Sequence, residues 1–127
     1  MGQYTIYHCH SNRSLLDSCT DYKEYADRVA ELGYKALALT EHGNAYNWVE
    51  KKMYINSKGL KYIHGVECYL TASLEEKVRD NYHTILLAKN YEGVKEINLL
   101  IDKSTQPDHR YYKPRITFEE FLIFQIM

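Results

Sequence analysis

The chain has 127 residues, 45% of them hydrophobic and 26% charged, the balance of one globular domain and not of a disordered or collagen-like chain. Its 16 Lys and Arg against 17 Asp and Glu leave a net charge of -1, which excludes a general basic field and makes any nucleic-acid contact local. Three cysteines outside any C-x-x-C spacing, no signal-peptide pattern and no apolar run of membrane-spanning length imply reduced thiols, a cytoplasmic setting and no membrane partner.

The first predicted element is a strand at Tyr4–His10, because Tyr4-Thr5-Ile6-Tyr7 favours extended backbone. Side chains at i and i+2 of a strand share a face, so His8 and His10 would present two nitrogen donors together. Cys9 between them would point away as a small buried residue. A polar loop, Ser11-Asn12-Arg13-Ser14, leads to a helix at Tyr22–Leu32. There Tyr25, Ala26, Val29, Ala30 and Leu32 form an apolar stripe, Thr20 or Asp21 caps the start and Gly33 ends it. Lys35–Thr40 has the length of a buried strand. A second helix follows Gly43 and runs to about Ser57, with Lys51 and Lys52 on its exposed face. Lys61–Leu70 and Tyr82–Ala88 are predicted strands on either side of a charged loop from Ser73 to Asn81, and Tyr91–Asp102 is a helix. Ser104 to Pro114 is irregular and carries both prolines. The 13 tyrosines suit half-buried strand positions better than a platform for stacking bases. Strands alternating with helices predict an α/β fold with a mostly parallel sheet or barrel.

In such folds the site lies at the carboxyl ends of the strands. His8 and His10 end the first strand, Asp17 follows it, His42 follows the second within Thr40-Glu41-His42-Gly43, and Glu67 lies late in the third. His83 is the exception, near the start of its strand. These imidazoles and carboxylates suit Zn, Mn or Fe, and a carboxylate such as Glu67 can bridge two ions. His64 and His109 stand outside the pattern and are expected at the surface. Lys113 and Arg115, flanking Pro114 beside Tyr111 and Tyr112, are candidates for gripping a phosphate of DNA, with a tyrosine stacking on a base.

His8-Cys9-His10-Ser11, Ser14-Leu15-Leu16-Asp17, Ala38-Leu39-Thr40-Glu41-His42-Gly43-Asn44 and Gly65-Val66-Glu67 together resemble the PHP (polymerase and histidinol phosphatase) domain family. Tyr82–Asn90, with Glu92-Gly93 after it, and Tyr111-Tyr112-Lys113-Pro114-Arg115-Ile116 are similar to its replicative-polymerase branch. The resemblance implies the N-terminal portion of a distorted (β/α)7 barrel whose rim holds up to three divalent metal ions (Zn, Mn or Fe). Carried over by residue, His8, His10 and Glu67 would hold the first ion and form the catalytic centre. Glu67 would bridge to a second with His83, and Asp17 and His42 would hold the third. The implied activity is a metal-dependent phosphoesterase, of 3′–5′ exonuclease type on a DNA 3′ end, with polymerase domains or replisome subunits as partners. The alternatives are a non-catalytic module bracing a replicative polymerase, or a small-molecule phosphatase of histidinol-phosphate type. Ser14-Leu15-Leu16-Asp17 and the Tyr-Lys-Pro-Arg segment argue against the last.

The family departs from this sequence in two places. Glu41 stands where Asp is usual, at a position expected to orient His42. Phe121–Met127 shows no strand-plus-ligand pattern, so residues 1–127 are expected to form a single PHP-type domain incomplete at its C-terminus. It would be weak or inactive alone, and would form a homo-oligomer to cover an exposed sheet edge.

Overall fold

The computed structural model describes residues 4–124. Gln125, Ile126 and Met127, the end of the unpatterned terminal run, lie outside the described residues. The elements are α1 (Tyr22–Glu31), β1 (Ala36–Leu39), α2 (Trp48–Ser57), β2 (Lys61–Thr71), β3 (Tyr82–Leu87), α3 (Tyr91–Ser104), β4 (Arg115–Thr117) and α4 (Phe118–Ile123). The mixed α/β architecture, with its mostly parallel sheet, is the one the periodicity predicts. Asp21 caps α1 by accepting the Lys23 N–H, and Asn90 caps α3 by accepting the Gly93 N–H.

β2 is the spine. β1 runs parallel to its first half, from Ala36 opposite Lys61 to Leu39 opposite His64. β4 runs parallel to its end, with Arg115 opposite Tyr69. β3 is antiparallel to β2, from Leu87 opposite Gly65 to Tyr82 opposite Leu70. Paired residues share a face, so Leu37 and Leu39 lie with Tyr62, His64, Val66, Cys68 and Leu70 on one side of the sheet. Two apolar clusters cover that side. Tyr22, Ala26 and Val29 of α1 and Ile55 of α2 pack on Leu37 and Leu39, and Ile97 and Leu100 of α3 pack on Val66, Cys68, Leu70 and Ile116. The opposite face of β2 carries Glu67 and Tyr69, free of helices and available for a site.

The segment predicted as the first strand is not a regular ladder. Ile6 bridges Leu37, and Ala38 N–H donates to the Ile6 carbonyl at 3.0 Å, but Thr40 N–H donates to the Cys9 carbonyl at 2.8 Å. Two residues of β1 therefore match three of the first segment, and the surplus is taken up as a bend at His8. Cys9 packs against the cluster under α1, and burial pushes its thiol up to about 11.

Three residues expected at the surface are buried. Lys51 faces inward from α2. His64 lies between the Tyr62 hydroxyl (2.8 Å from Nδ1) and Asn98 Oδ1 (3.0 Å from Nε2), with Trp48 edge-on to its ring. His109 is clamped by Asp108 and Glu120, each 2.8 Å from a ring nitrogen. Asn98 and Glu120, 34 and 11 residues away, come from other elements, which a local pattern does not show. Nor does periodicity foretell the short β4–α4 unit, although Thr117 and Glu120 form a capping box that reads T-x-x-E in the sequence.

The His109–Glu120 tie yields a pH prediction. Burial opposes the charge on Glu120, but the Thr117 amide, His109 and Lys103 outweigh it and hold the carboxyl at about 2. Burial likewise opposes the His109 charge, and Asp108 and Glu120 outweigh it and raise the imidazole. A depressed carboxyl stabilises the fold above its ordinary range and loses that contribution as pH falls; a raised imidazole contributes below its ordinary value and loses it as pH rises. The tie is thus strongest in mildly acidic solution. The urea midpoint of the wild-type chain is expected to fall between about pH 5 and pH 3 more steeply than that of Glu120→Gln. Parallel slopes would show that Glu120 carries no such linkage.

Candidate metal centre

Side-chain alternation along β2 puts Glu67 and Tyr69 on the helix-free face. The residues around Glu67 come from three directions. β1 continues through Thr40 and Glu41 so that His42 bridges Glu67, with Gly43 N–H donating to the Glu67 carbonyl and Glu67 N–H to the Glu41 carbonyl. Gly43 has φ +62, and a Cβ there would overlap Pro114, so the turn that presents His42 requires glycine. The bent segment before β1 delivers His8 and His10. His83 arrives because β3 is antiparallel: the start of β3 lies beside the end of β2, and His83 pairs with Tyr69. That chain direction removes the exception seen in the sequence, where a parallel strand would have carried His83 to the far end.

Glu67 is 2% exposed, and four imidazoles surround its carboxylate. Oε2 lies 2.7 Å from His8 Nε2 and 3.2 Å from His10 Nε2; Oε1 lies 3.1 Å from both His42 Nδ1 and His83 Nδ1. His42 Nε2 reaches Asp17 Oδ2 at 2.8 Å, and the His10 and His42 rings stack 4.1 Å apart. Two triads bring ligand atoms within 4.8 Å of one another: His8, His10 and Glu67, and His10, Asp17 and His42. All six predicted ligands therefore meet on one rim. His83 joins through Glu67 and belongs to neither triad.

Burial works against the charge on Glu67, but the His8 bond and the imidazoles of His42, His10 and His83 outweigh it and keep the carboxyl below its usual range. Burial, with His42 alongside, lowers the His10 imidazole, and the His42 hydrogen bond lowers Asp17. Acidic carboxylates and neutral imidazoles are the forms that ligate metal. A sharper test is Glu67 Oε1. It is fully buried and has no hydrogen bond, although two imidazole nitrogens stand 3.1 Å away. An acceptor without a donor, ringed by nitrogen donors to metal, fits a cation of the Zn, Mn or Fe class.

Several residues take other places than expected. Glu41 does not touch the His42 ring. It is buried, accepting the Ser11 N–H at 2.8 Å and the Ser14 hydroxyl at 3.0 Å, with Lys51 Nζ 3.7 Å away. Burial lowers the Lys51 ammonium, and Glu41 partly restores it. Arg115 is not a phosphate contact: its guanidinium is buried and donates to the carbonyls of His109, Glu76 and Leu74. Lys113 does face the site, its ammonium 4.5 Å from the centre of the Tyr69 ring. Tyr112 is exposed, with the Arg79 guanidinium over its ring, while Tyr111 lies under Arg115. Tyr69 itself was not foreseen. Its hydroxyl hydrogen-bonds His42 Nδ1, and burial holds it protonated. Its position two residues after Glu67, on the same strand face, is the signal that marks it.

A groove of about 700 Å³ runs from Asp17 and His42 past Arg13, Arg110, Tyr112 and Lys113. Among the described residues, none of these three cations lies within 4.0 Å of a carboxylate.

The family model of the PHP domain matches residues 7–125. The chain is 36% identical over 115 residues to DNA polymerase III subunit alpha of Chlamydia pneumoniae, covering 86% of this chain and 9% of that protein. It is 32% identical over 123 residues to the same subunit of Aquifex aeolicus, covering 88% and 10%. The chain thus spans about a tenth of the length of these curated relatives. Among solved structures, an amidohydrolase from Chromobacterium violaceum superposes with TM-score 0.60 at 22% identity, covering 81% of this chain and 33% of that one. A candidate metal-dependent phosphoesterase from Bifidobacterium adolescentis superposes with TM-score 0.58 at 15% identity, covering 81% and 34%. These structural likenesses concern the fold.

Proposed function

This chain belongs to the PHP domain family, and from that premise we propose that its histidine–carboxylate rim is the metal-binding part of a phosphoesterase site acting on the 3′ end of DNA. The observation that carries this reading is Glu67: a buried carboxylate shared among four imidazoles, with Oε1 lacking any hydrogen bond. His8, His10 and Glu67 would hold one ion, Glu67 and His83 a second, and Asp17 and His42 a third. The chemistry such divalent ions supply is Lewis acidity toward a phosphoryl group and a nucleophilic water near neutral pH.

The chain's own residues set orientation and specificity. Tyr69 holds His42 from the Nδ1 side while Asp17 takes Nε2, so the ring cannot swing out of the rim. Arg13, Arg110 and Lys113 give the adjoining groove unpaired positive charge in a chain of net charge -1. That suits a polyanionic strand better than a small phosphomonoester. Tyr112 is placed where a base could stack. Similarity to the polymerase alpha subunits supports a replicative polymerase as the setting.

Metal analysis of the dialysed, untagged chain is expected to find about one or more Zn, Mn or Fe per molecule; a chain that binds none when titrated with each ion would overturn the reading. The double variant Arg110→Ala/Lys113→Ala is expected to weaken binding of a single-stranded oligonucleotide by about ten-fold and to flatten its salt dependence. Its metal content and hydrolysis of p-nitrophenyl phosphate should stay as in wild type. Equal affinity for the oligonucleotide in both chains would remove the groove from the account.

A further inference from the structure

We propose that Leu16 and Tyr112 are specificity-determining residues of the groove beside Asp17 and His42: they hold the bases of an unpaired strand, while the cations of the groove hold its phosphates. The inference rests on the nucleic-acid part of the reading above and not on its metal ions.

The backbone singles these two out. Among the described residues, Leu16, Asn47 and Tyr112 are the non-glycine residues with positive φ. Asparagine tolerates left-handed backbone, whereas leucine and tyrosine adopt it only under strain. Leu16, at φ 67, stands third in the turn Ser14-Leu15-Leu16-Asp17, which closes with the Asp17 N–H donating to the Ser14 carbonyl at 3.1 Å. That is the type II position that glycine normally fills. Tyr112, at φ 58, is the centre of a three-residue turn in which the Lys113 N–H donates to the Tyr111 carbonyl at 2.7 Å. A positive central φ marks the rarer, strained form of the γ-turn. Both turns are anchored. The Ser14 hydroxyl donates to Glu41 Oε2 at 3.0 Å and accepts the His42 backbone N–H at 3.1 Å, and Pro114 packs on Gly43.

Strained backbone persists where neighbours enforce it, and it clusters where ligands are gripped. Neither side chain serves the core. Leu16 is fully exposed, Leu15 beside it is exposed, and Tyr112 is 63% exposed. All three line one groove with Arg13, Arg110 and Lys113, the cations that have no carboxylate partner among the described residues. A single exposed apolar residue needs no explanation; strained ones ranged along unpaired cations fit a ligand that is polyanionic and apolar at once. An unpaired nucleotide strand is such a ligand: the cations attract its phosphates, and the leucine and tyrosine side chains meet its bases. In a duplex the base faces are taken by stacking, so only an unpaired base can use these contacts. The Arg79 guanidinium lies 3.7 Å over the centre of the Tyr112 ring and Tyr111 stands perpendicular to it, so the ring is held at a fixed tilt.

The test is binding of a fluorescently labelled oligothymidylate, and of an abasic oligonucleotide of the same length, read by anisotropy at low salt in EDTA. The wild-type chain is expected to bind the oligothymidylate about ten-fold more tightly than the abasic strand. Leu16→Asn and Tyr112→Asn remove the apolar contact but suit left-handed backbone, so their urea midpoints should equal or exceed that of the wild type. Each should lose about five- to ten-fold in affinity for the oligothymidylate and nothing for the abasic strand. Equal wild-type affinity for the two strands would overturn the proposal, and that comparison needs no variant. Variants that bind the oligothymidylate as the wild type does would also overturn it, assigning the side chains to a protein neighbour while the phosphoesterase reading stands. A lowered midpoint in either variant would assign that side chain to packing and remove it from the groove. A wild-type chain that binds neither strand would overturn the nucleic-acid reading, and the inference with it. Preference for the oligothymidylate, lost in the variants, in a chain that takes up no metal would support the inference and overturn the metal centre alone.

Discussion

Glu67→Gln is expected to strip the chain of tightly held metal while leaving its secondary structure unchanged. The substitution keeps volume and shape, so β2 keeps its pairing with β1, β3 and β4. What changes is the pattern of donors and acceptors. Oε2 lies within 3.2 Å of His8 and His10 nitrogens, and Oε1 within 3.1 Å of His42 and His83 nitrogens. Whichever way the new amide turns, its NH2 group points at a place where a cation would sit. The negative charge that would join two ions is also gone. Loss of affinity should be at least about 100-fold, beyond the 10–100-fold typical of groups that merely orient ligands. Metal titration followed by elemental analysis measures it, and circular dichroism checks the fold. A variant that holds metal as tightly as wild type would mean that Glu67 is not the hub of the site.

The second large effect is on stability. Arg115→Ala is expected to cost about 3 kcal/mol, because a buried acceptor left without its donor costs about 1–3 kcal/mol. Arg115 begins β4, and its side chain is buried. Its guanidinium donates to the His109 carbonyl at 2.9 Å, the Glu76 carbonyl at 2.9 Å and the Leu74 carbonyl at 3.1 Å. It thereby ties the charged loop after β2 to the irregular stretch before β4. Alanine would leave three carbonyls without that donor and a void the size of the side chain. Against a total stability of about 5–15 kcal/mol, such a loss is a large fraction. Lysine should recover little, because one ammonium on a flexible stem cannot reproduce the fork that reaches three acceptors. Urea denaturation of the wild type and both variants tests this. A loss under about 1 kcal/mol for Arg115→Ala would show that the carbonyls find other partners.

Both residues had been marked from the sequence, and their fates differ for a physical reason. Glu67 sits in an apolar strand, where a carboxylate needs a partner, and the partners it finds are the histidines that recur at strand ends. Arg115 near Lys113 resembles a basic pair, but the carbonyls of Leu74, Glu76 and His109 draw the Arg115 guanidinium inward. Tertiary contacts decided which of the neighbouring cations reached solvent: Lys113 stands beside Tyr69 at the groove, and Arg115 turned inward. The same holds for Lys51, His64 and His109. Each looks like a surface residue by its neighbours in sequence, and each is buried because a partner on another element satisfies it: Glu41, Asn98 and Glu120 in turn.

The order of helices and strands from α1 to α3, the buried runs of β1 and β2, and the six donors at His8, His10, Asp17, His42, Glu67 and His83 were determined by the sequence alone, since periodicity and residue chemistry are local properties. The direction of β3 was not, and nor was the surplus residue that bends the chain at His8. Those depend on pairing across the sheet, where hydrogen bonds link residues distant along the chain. The tertiary structure alone decided that His83 meets Glu67 instead of lying at the far end of its strand. It likewise decided that Glu41 meets Ser11, Ser14 and Lys51 in the interior instead of the His42 ring, because those partners lie far from it along the chain.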